Sequence, residues 1–352
     1  MLPKVQSPTS GAQGRSQLRP LLLAGPTAVG KSEIALLLAE QLNGEILSVD
    51  SMQVYRGLDI GTAKPSPADR ARVPHHLLDV VDLTGLFDAG QFADLARKAA
   101  ADIQSRNRLP ILCGGTGLYF KAFLEGLGEA PPADAKLRAL LEATPLPELL
   151  RELAQLDPVT HERIDRQNPR RVIRAVEVIR LTGKPFSEQR ARWGETPGAA
   201  GMSGSPGVSP HQDESTLGLL ARRSGAETAR SPACFFGLRR SGSELRDRID
   251  ARVNDMFRRG LVAETEHLLK LGLADNKTAL QALGYRQVVE HLQGKRSLAE
   301  TVELVKIRTR QFAKRQMTWF RRQPGLEWIE IKPEHSPGSV AALVKARFER
   351  IR

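Results

Sequence analysis

Gly25-Pro26-Thr27-Ala28-Val29-Gly30-Lys31-Ser32 has the spacing G-x-x-x-x-G-K-[ST], which suits a loop that holds phosphate. Such a loop turns backbone N–H groups inward, and a helix starting at its end adds a positive dipole end. Lys31 is then a point charge aimed at a phosphate, and Ser32 a hydroxyl suited to a magnesium ion. Asp50 ends the run Glu45-Ile46-Leu47-Ser48-Val49. In an open α/β sheet ligands bind beyond the strands' C-terminal ends, so this carboxylate is placed for catalysis or, equally, for capping a turn. Gly114-Gly115-Thr116-Gly117 follows Ile111-Leu112-Cys113 and reads as backbone approaching a ligand or as a tight turn. Arg248 and Arg252 lie one helical turn apart, where both can meet one anion. The loop alone does not say which phosphorylated molecule it holds.

These residues need elements to position them. Leu21-Leu22-Leu23-Ala24 reads as a strand, and the helix after the loop places Ile34, Leu37, Leu38 and Leu42 on one face. Gly57 to Pro65 has no helical period and is long for a connector, which favours a functional loop. Pro74-His75-His76 precedes an expected strand, Leu77 to Val81. Adjacent histidines on a strand face opposite ways, so one metal does not take both. Phe92, Leu95, Ala96, Ala99 and Ile103 have helical spacing. Alternating strand and helix from Pro20 to Leu127 predict an α/β fold: a P-loop NTPase-like parallel sheet flanked by helices.

After Pro131-Pro132 the pattern turns helical, predicting an all-helical insertion domain over 131–193. Its helix 170–179 puts Val172, Val176 and Ile179 on one side and Arg170 and Arg174 one turn apart, as an anion-facing pair or a solvated face with Glu177. Residues 194–232 are rich in Gly, Ser and Pro and read as a loop without order. A core strand is expected at 233–238, then a helix over 244–257 with Leu245, Ile249, Val253 and Met256 inward. Over 296–322 Val305, Phe312 and Trp319 repeat at seven, with Val302, Thr309 and Gln316 beside them. Lys306, Arg310, Lys314 and Arg321 lie opposite that seam, and Arg308, Arg315 and Arg322 flank it, a cationic surface suited to nucleic-acid phosphates. A last strand is expected at 326–331. The expected organisation is a leader 1–18, a core of 19–130 and 233–335, and a C-terminal helix or tail 336–352.

The chain has 352 residues, 41% of them hydrophobic, enough for a core with a large insertion. The formal charge of +12 points to a polyanionic partner. Cys113 and Cys234 have no C-x-x-C partner, so neither a disulfide framework nor a zinc site is expected, and both read as buried thiols in a reducing compartment. No run is apolar enough to span a membrane, and residues 1–19 lack a signal peptide's apolar core. A cytoplasmic location is expected.

Several stretches together resemble the tRNA dimethylallyltransferases, also called tRNA isopentenyltransferases. They are Gly25 to Ser32, Ser48-Val49-Asp50-Ser51 with Val54-Tyr55, Gly57-Leu58-Asp59-Ile60-Gly61-Thr62-Ala63-Lys64-Pro65, and Pro74 to Asp79. Gly114-Gly115-Thr116-Gly117-Leu118-Tyr119, Gln281 to Arg286 and Lys314 to Arg321 complete the set in the family's order. The D-I-G-T-A-K-P and G-G-T-G-L-Y strings are far more specific than the phosphate loop. The resemblance implies transfer of a dimethylallyl group from dimethylallyl diphosphate to N6 of an adenosine beside the tRNA anticodon. It implies that Gly25 to Ser32 hold a departing diphosphate and not a nucleotide, with Mg²⁺ as cofactor. It assigns Asp50 to the N6 amino proton or its orientation, Thr116 to a nearby hydrogen bond, and Lys31 to the diphosphate; Arg248 is taken as a second diphosphate clamp.

Family tRNA contacts map onto Asp50, Ser51, Met52, Gln53, Thr116, Arg138 and Arg170, Arg171, Val172, Ile173, Arg174. They map further onto Gln281, Ala282, Leu283, Gly284, Tyr285, Arg286 and Lys314, Arg315, Gln316, Met317, Thr318, Trp319, Phe320, Arg321. The anticodon stem-loop is the expected partner, the target base leaves its stack, and the enzyme is expected to be a monomer of bacterial type. The run after Trp193 and the leader before Leu18 are longer than the family pattern. A small-molecule P-loop kinase, a nucleotide-switched RNA-binding protein and an adenine-nucleotide isopentenyltransferase are the competing readings. They predict ATP consumption, nucleotide-dependent tRNA binding and preference for AMP, respectively.

Overall fold

The computed structural model describes residues 19–127, 131–189 and 234–351. The expected leader 1–18 and the loop 194–232 lie outside the described residues. The described chain divides into two compact units, one of 19–87, 95–116 and 234–351, the other of 88–94, 117–127 and 131–189.

In the first unit, β1 (Leu21–Ala24) is buried at every residue because parallel neighbours flank it and both sheet faces are covered. The phosphate loop follows, then α1 (Lys31–Leu42), which buries Ile34, Ala35, Leu36, Leu38 and Ala39. Its apolar surface exceeds one stripe because the helix packs on both the sheet and the C-terminal helix. β2 (Gly44–Val49) leads through α2 (Pro67–Arg72), which Ser66 and Asp69 start with a capping box. Next come β3 (His75–His76), α3 (Ala89–Ser105), which passes from one unit to the other, and β4 (Leu109–Gly114).

The strand expected at Leu77 to Val81 is a correction. Only His75 and His76 pair with β2, opposite Ile46 and Leu47. Leu77 and Asp79 then take left-handed backbone, with φ of 63° and 56°, which no strand accommodates. The turn points Asp79 at the Lys64 ammonium and at Arg70 Nη1, 2.9 Å away. His76 Nε2 meets Glu45 at 2.6 Å and His75 Nδ1 meets the Val73 carbonyl at 2.8 Å, so both rings hold structure.

The second unit is helical: α4 (Gly117–Glu125), α5 (Ala135–Ala143), α6 (Leu146–Leu156), α7 (Pro158–Arg163), α8 (Pro169–Thr182) and α9 (Phe186–Gln189). Leu141, Leu149, Leu153, Val172, Ile173, Val176 and Ile179 form its core. The chain then returns through β5 (Cys234–Arg239), α10 (Gly242–Arg258), α11 (Leu261–Lys270), α12 (Tyr285–Leu292), α13 (Leu298–Phe320), β6 (Glu327–Glu330) and α14 (Pro337–Ile351). The six strands are all parallel in the order β3-β2-β4-β1-β5-β6. This is a P-loop NTPase-like sheet flanked by helices. Among the described residues no helix is long and apolar enough to cross a membrane.

Candidate active site

The C-terminal ends of β2, β4, β1 and β5 lie side by side, the edge at which open α/β sheets bind ligands. The ends of β2, β4 and β1 each continue into a segment singled out by its sequence. β1 runs into Gly25, where a Cβ would lie 2.8 Å from the Leu238 carbonyl oxygen, so only glycine lets the loop leave the sheet there. Lys31 Nζ donates to the Pro26 carbonyl at 2.7 Å. Two arginines brace the loop from beyond β5. Arg240 Nε donates to the Val29 carbonyl and Arg248 Nε to the Ala28 carbonyl, both at 2.9 Å.

Ala28, Gly30, Lys31, Ser32, Glu33, Arg248, Ala251 and Arg252 line one cavity of about 390 Å³. Arg248 and Arg252 both line it together with Lys31. Burial lowers the Lys31 ammonium to about 8, aided by nearby Arg252 and opposed by Cys113 and Asp50. Burial also lowers Arg252, against the pull of Asp50, and raises the Cys113 thiol to about 11. Among the described residues neither Lys31, Arg248 nor Arg252 is ion-paired with a carboxylate. Lys31 and Arg252, desolvated beside an open cavity that Arg248 also lines, make a strong anion site.

Asp50 follows β2. Its Oδ1 accepts from the backbone N–H of Met52 at 2.8 Å and of Gln53 at 3.3 Å, while Oδ2 has no protein partner among the described residues. One oxygen of Asp50 therefore caps the turn. The Ser51 N–H donates to Thr116 Oγ1 at 3.2 Å, so Thr116, beyond β4, ties two strand ends together. Gln53 accepts from Ser48 Oγ at 2.7 Å and donates to the Thr62 and Ala63 carbonyls at 3.1 and 3.3 Å.

The loop 57–65 supports this turn. Lys64 Nζ is buried against Asp59, Asp79 and the Tyr55 carbonyl. Tyr285 accepts from the Gly61 N–H at 3.1 Å and donates to Glu264 at 2.6 Å. Glu264 in turn accepts from the Ile60 N–H at 2.9 Å. Burial, and then the Glu264 carboxylate, push the Tyr285 phenol far above its ordinary value. Its role is a fixed hydrogen bond, not proton transfer.

The basic helix differs from its expected form. The buried positions of α13 are Thr301, Val305, Thr309, Ala313, Gln316 and Phe320. A straight helix of 3.6 residues per turn drifts away from a seven-residue repeat, so Ala313 and Phe320 replace Phe312 and Trp319 in the seam. Arg310 pairs with Asp250 on α10, Nε to Oδ1 at 3.0 Å, and Lys306 with Glu303 at 2.7 Å. Those two cations are committed within the protein. Lys314, Arg315, Thr318 and Arg321 are exposed, Met317 and Trp319 half-buried, and Phe320 is a core side chain. Gln281 and Arg286 are exposed, Leu283 is half-buried, and Ala282, Gly284 and Tyr285 are buried.

In the helical unit Arg138 and Arg174 both bind Glu177, at 3.2 and 2.7 Å. Glu177 is 0% exposed and also accepts from the Asp134 N–H, so of the two sequence readings, an anion-facing pair or a solvated face, Arg174 fits neither: it is half-buried on a buried carboxylate. Val172 and Ile173 belong to the core, and Arg170 and Arg171 are exposed. Arg240 carries no motif in the sequence beyond a basic doublet after a strand.

An IPP transferase family model matches residues 53–323. The chain is 43% identical over 322 residues to tRNA dimethylallyltransferase 1 of Trichlorobacter lovleyi, covering 90% of this chain and 95% of that one. Among solved structures, the full-length tRNA isopentenylpyrophosphate transferase from Bacillus halodurans superposes with a TM-score of 0.63 at 33% identity, covering 95% of this chain and 97% of that one. A eukaryotic dimethylallyltransferase acting on tRNA gives a TM-score of 0.66 at 25% identity, over 90% of this chain and 74% of its own.

Proposed function

The chain belongs to the IPP transferase family, that of the tRNA dimethylallyltransferases, and from this premise we propose how its site carries the reaction. It transfers a dimethylallyl group from dimethylallyl diphosphate to tRNA. The acceptor is N6 of the adenosine next to the anticodon, position 37, in tRNAs that read codons beginning with U. The C–O bond of the allylic diphosphate breaks, a C–N bond to N6 forms, and the amino proton leaves to Asp50. Negative charge grows on the diphosphate as it departs. Lys31, Arg248 and Arg252, with the loop N–H groups, meet it where it develops. An exocyclic adenine amine is a poor nucleophile, so Asp50 Oδ2 and close placement are both needed.

Ser32 and Glu33 line the same cavity and would offer oxygen donors of the kind Mg²⁺ takes. Bound there, Mg²⁺ would neutralise part of the leaving group's charge. The observation that carries this reading is the cavity shared by Lys31, Arg248 and Arg252, none of which is ion-paired with a carboxylate among the described residues. The test is incubation with labelled dimethylallyl diphosphate and unmodified tRNA. Label is expected in tRNA; its absence, or label in AMP in preference to tRNA, overturns the reading.

A further inference from the structure

Gln316 sits on the inner side of α13, 7% exposed. Its Oε1 accepts the backbone N–H of Thr27 at 2.8 Å, and its Nε2 donates to the Gly115 carbonyl at 3.0 Å. The partners fix the amide's orientation, since an N–H only donates and a carbonyl only accepts. Gly115 admits this contact because it has no side chain: a Cβ there would lie 2.2 Å from Gln316 Nε2. One amide thus bridges the phosphate loop after β1 and the strand end at β4. It hangs from the helix whose outer face carries Lys314, Arg315 and Arg321.

We propose that Gln316 is a positioning residue for the diphosphate site and not a contact to RNA. It sets the first half of the loop, Gly25 to Ala28, in register with Gly115 and Thr116, and it links the loop mechanically to α13. The link joins the two substrates' sites through one side chain. This rests on reading Gly25 to Ser32 as the diphosphate grip.

Two variants test it, with inorganic pyrophosphate as the probe of the loop. Gln316→Met fills the same space but leaves the Thr27 N–H and Gly115 carbonyl unpaired. The expected result is a rise of about tenfold in both the pyrophosphate Kd and the KM for dimethylallyl diphosphate, with tRNA Kd within about twofold. In Gln316→Glu the ionised carboxylate cannot donate to Gly115. Its buried acid form can, because its O–H replaces the lost N–H. The ratio of its kcat/KM to wild type should therefore rise as pH falls, a recovery that a purely structural defect would not show. A raised tRNA Kd with unchanged pyrophosphate Kd overturns the proposal, as does a flat ratio across pH. A pyrophosphate Kd that rises in Gln316→Met, in a protein whose wild type labels no tRNA, would sink the prenyltransfer reading and leave this one standing.

Discussion

Two arginine clusters in this molecule share one sequence signature and differ in use. On α10, Arg248 and Arg252 are one turn apart and face a cavity beside Lys31. On α8, Arg170 and Arg174 have the same spacing, yet Arg174 turns onto a fully buried Glu177 that Arg138 also clasps. The difference is the placement of one carboxylate. A buried acid absorbs its neighbouring cations, and removing one partner of such a set is costly. Arg248 and Arg252, which no carboxylate pairs directly among the described residues, are left poised for an external anion. Spacing of arginines along a helix therefore identifies a cationic face but not its client.

The sharpest way to break this comparison is at the cavity. Asp50→Ala and Lys31→Ala are each expected to lower single-turnover transfer by about 10² to 10⁴, with tRNA affinity kept in a filter-binding assay. A full single-turnover rate in Asp50→Ala would remove it as the base. Lys31 binds anions as its cation and loses the proton through about 8. The kcat/KM for dimethylallyl diphosphate should thus fall as pH rises through that value, and this limb should vanish in Lys31→Ala.

At the other cluster the expected loss is of stability. Among the described residues Arg174→Ala leaves Glu177 buried with Arg138 and the Asp134 N–H alone, so denaturant unfolding should show about 2 kcal/mol lost, below the full value for an isolated buried charge. Exposed Arg171→Ala should stay within about 0.5 kcal/mol. An Arg174→Ala protein of native stability but weaker tRNA binding would mean that the two clusters do the same work.

What could be read from the chain followed from how local each feature is. Gly25 to Ser32 is eight contiguous residues between a strand and a helix, and motif and flanks sufficed. Asp50 was legible as a strand end, whereas its capping bonds to Met52 and Gln53 depend on how the turn folds back. Arg240 was invisible because its partner, the Val29 carbonyl, lies 211 positions away. Gln316 was read as seam or RNA contact for the same reason, its partners being 289 and 201 positions off. The false strand at Leu77 to Val81 had the right apolar composition. Asp79 is drawn inward by Lys64 and Arg70, a tertiary demand that overrides β-propensity.

The smallest effects separate the cations of α13. Lys314 is exposed on the helix's outer face, whereas Arg310 is held by Asp250 through two hydrogen bonds. If Lys314 meets an RNA phosphate, Lys314→Ala should weaken tRNA binding a few-fold and flatten the log Kd against log salt slope by roughly 0.7 to 0.9, the share of one contact. Arg310→Ala should leave the slope unchanged, because that cation neutralises a carboxylate of its own fold. It should instead cost some stability, less than a buried pair would, since both side chains are partly open to water. Equal slope changes in the two variants would show that the Asp250 pair opens when RNA arrives, and that pairing within the fold does not decide which cations the RNA uses.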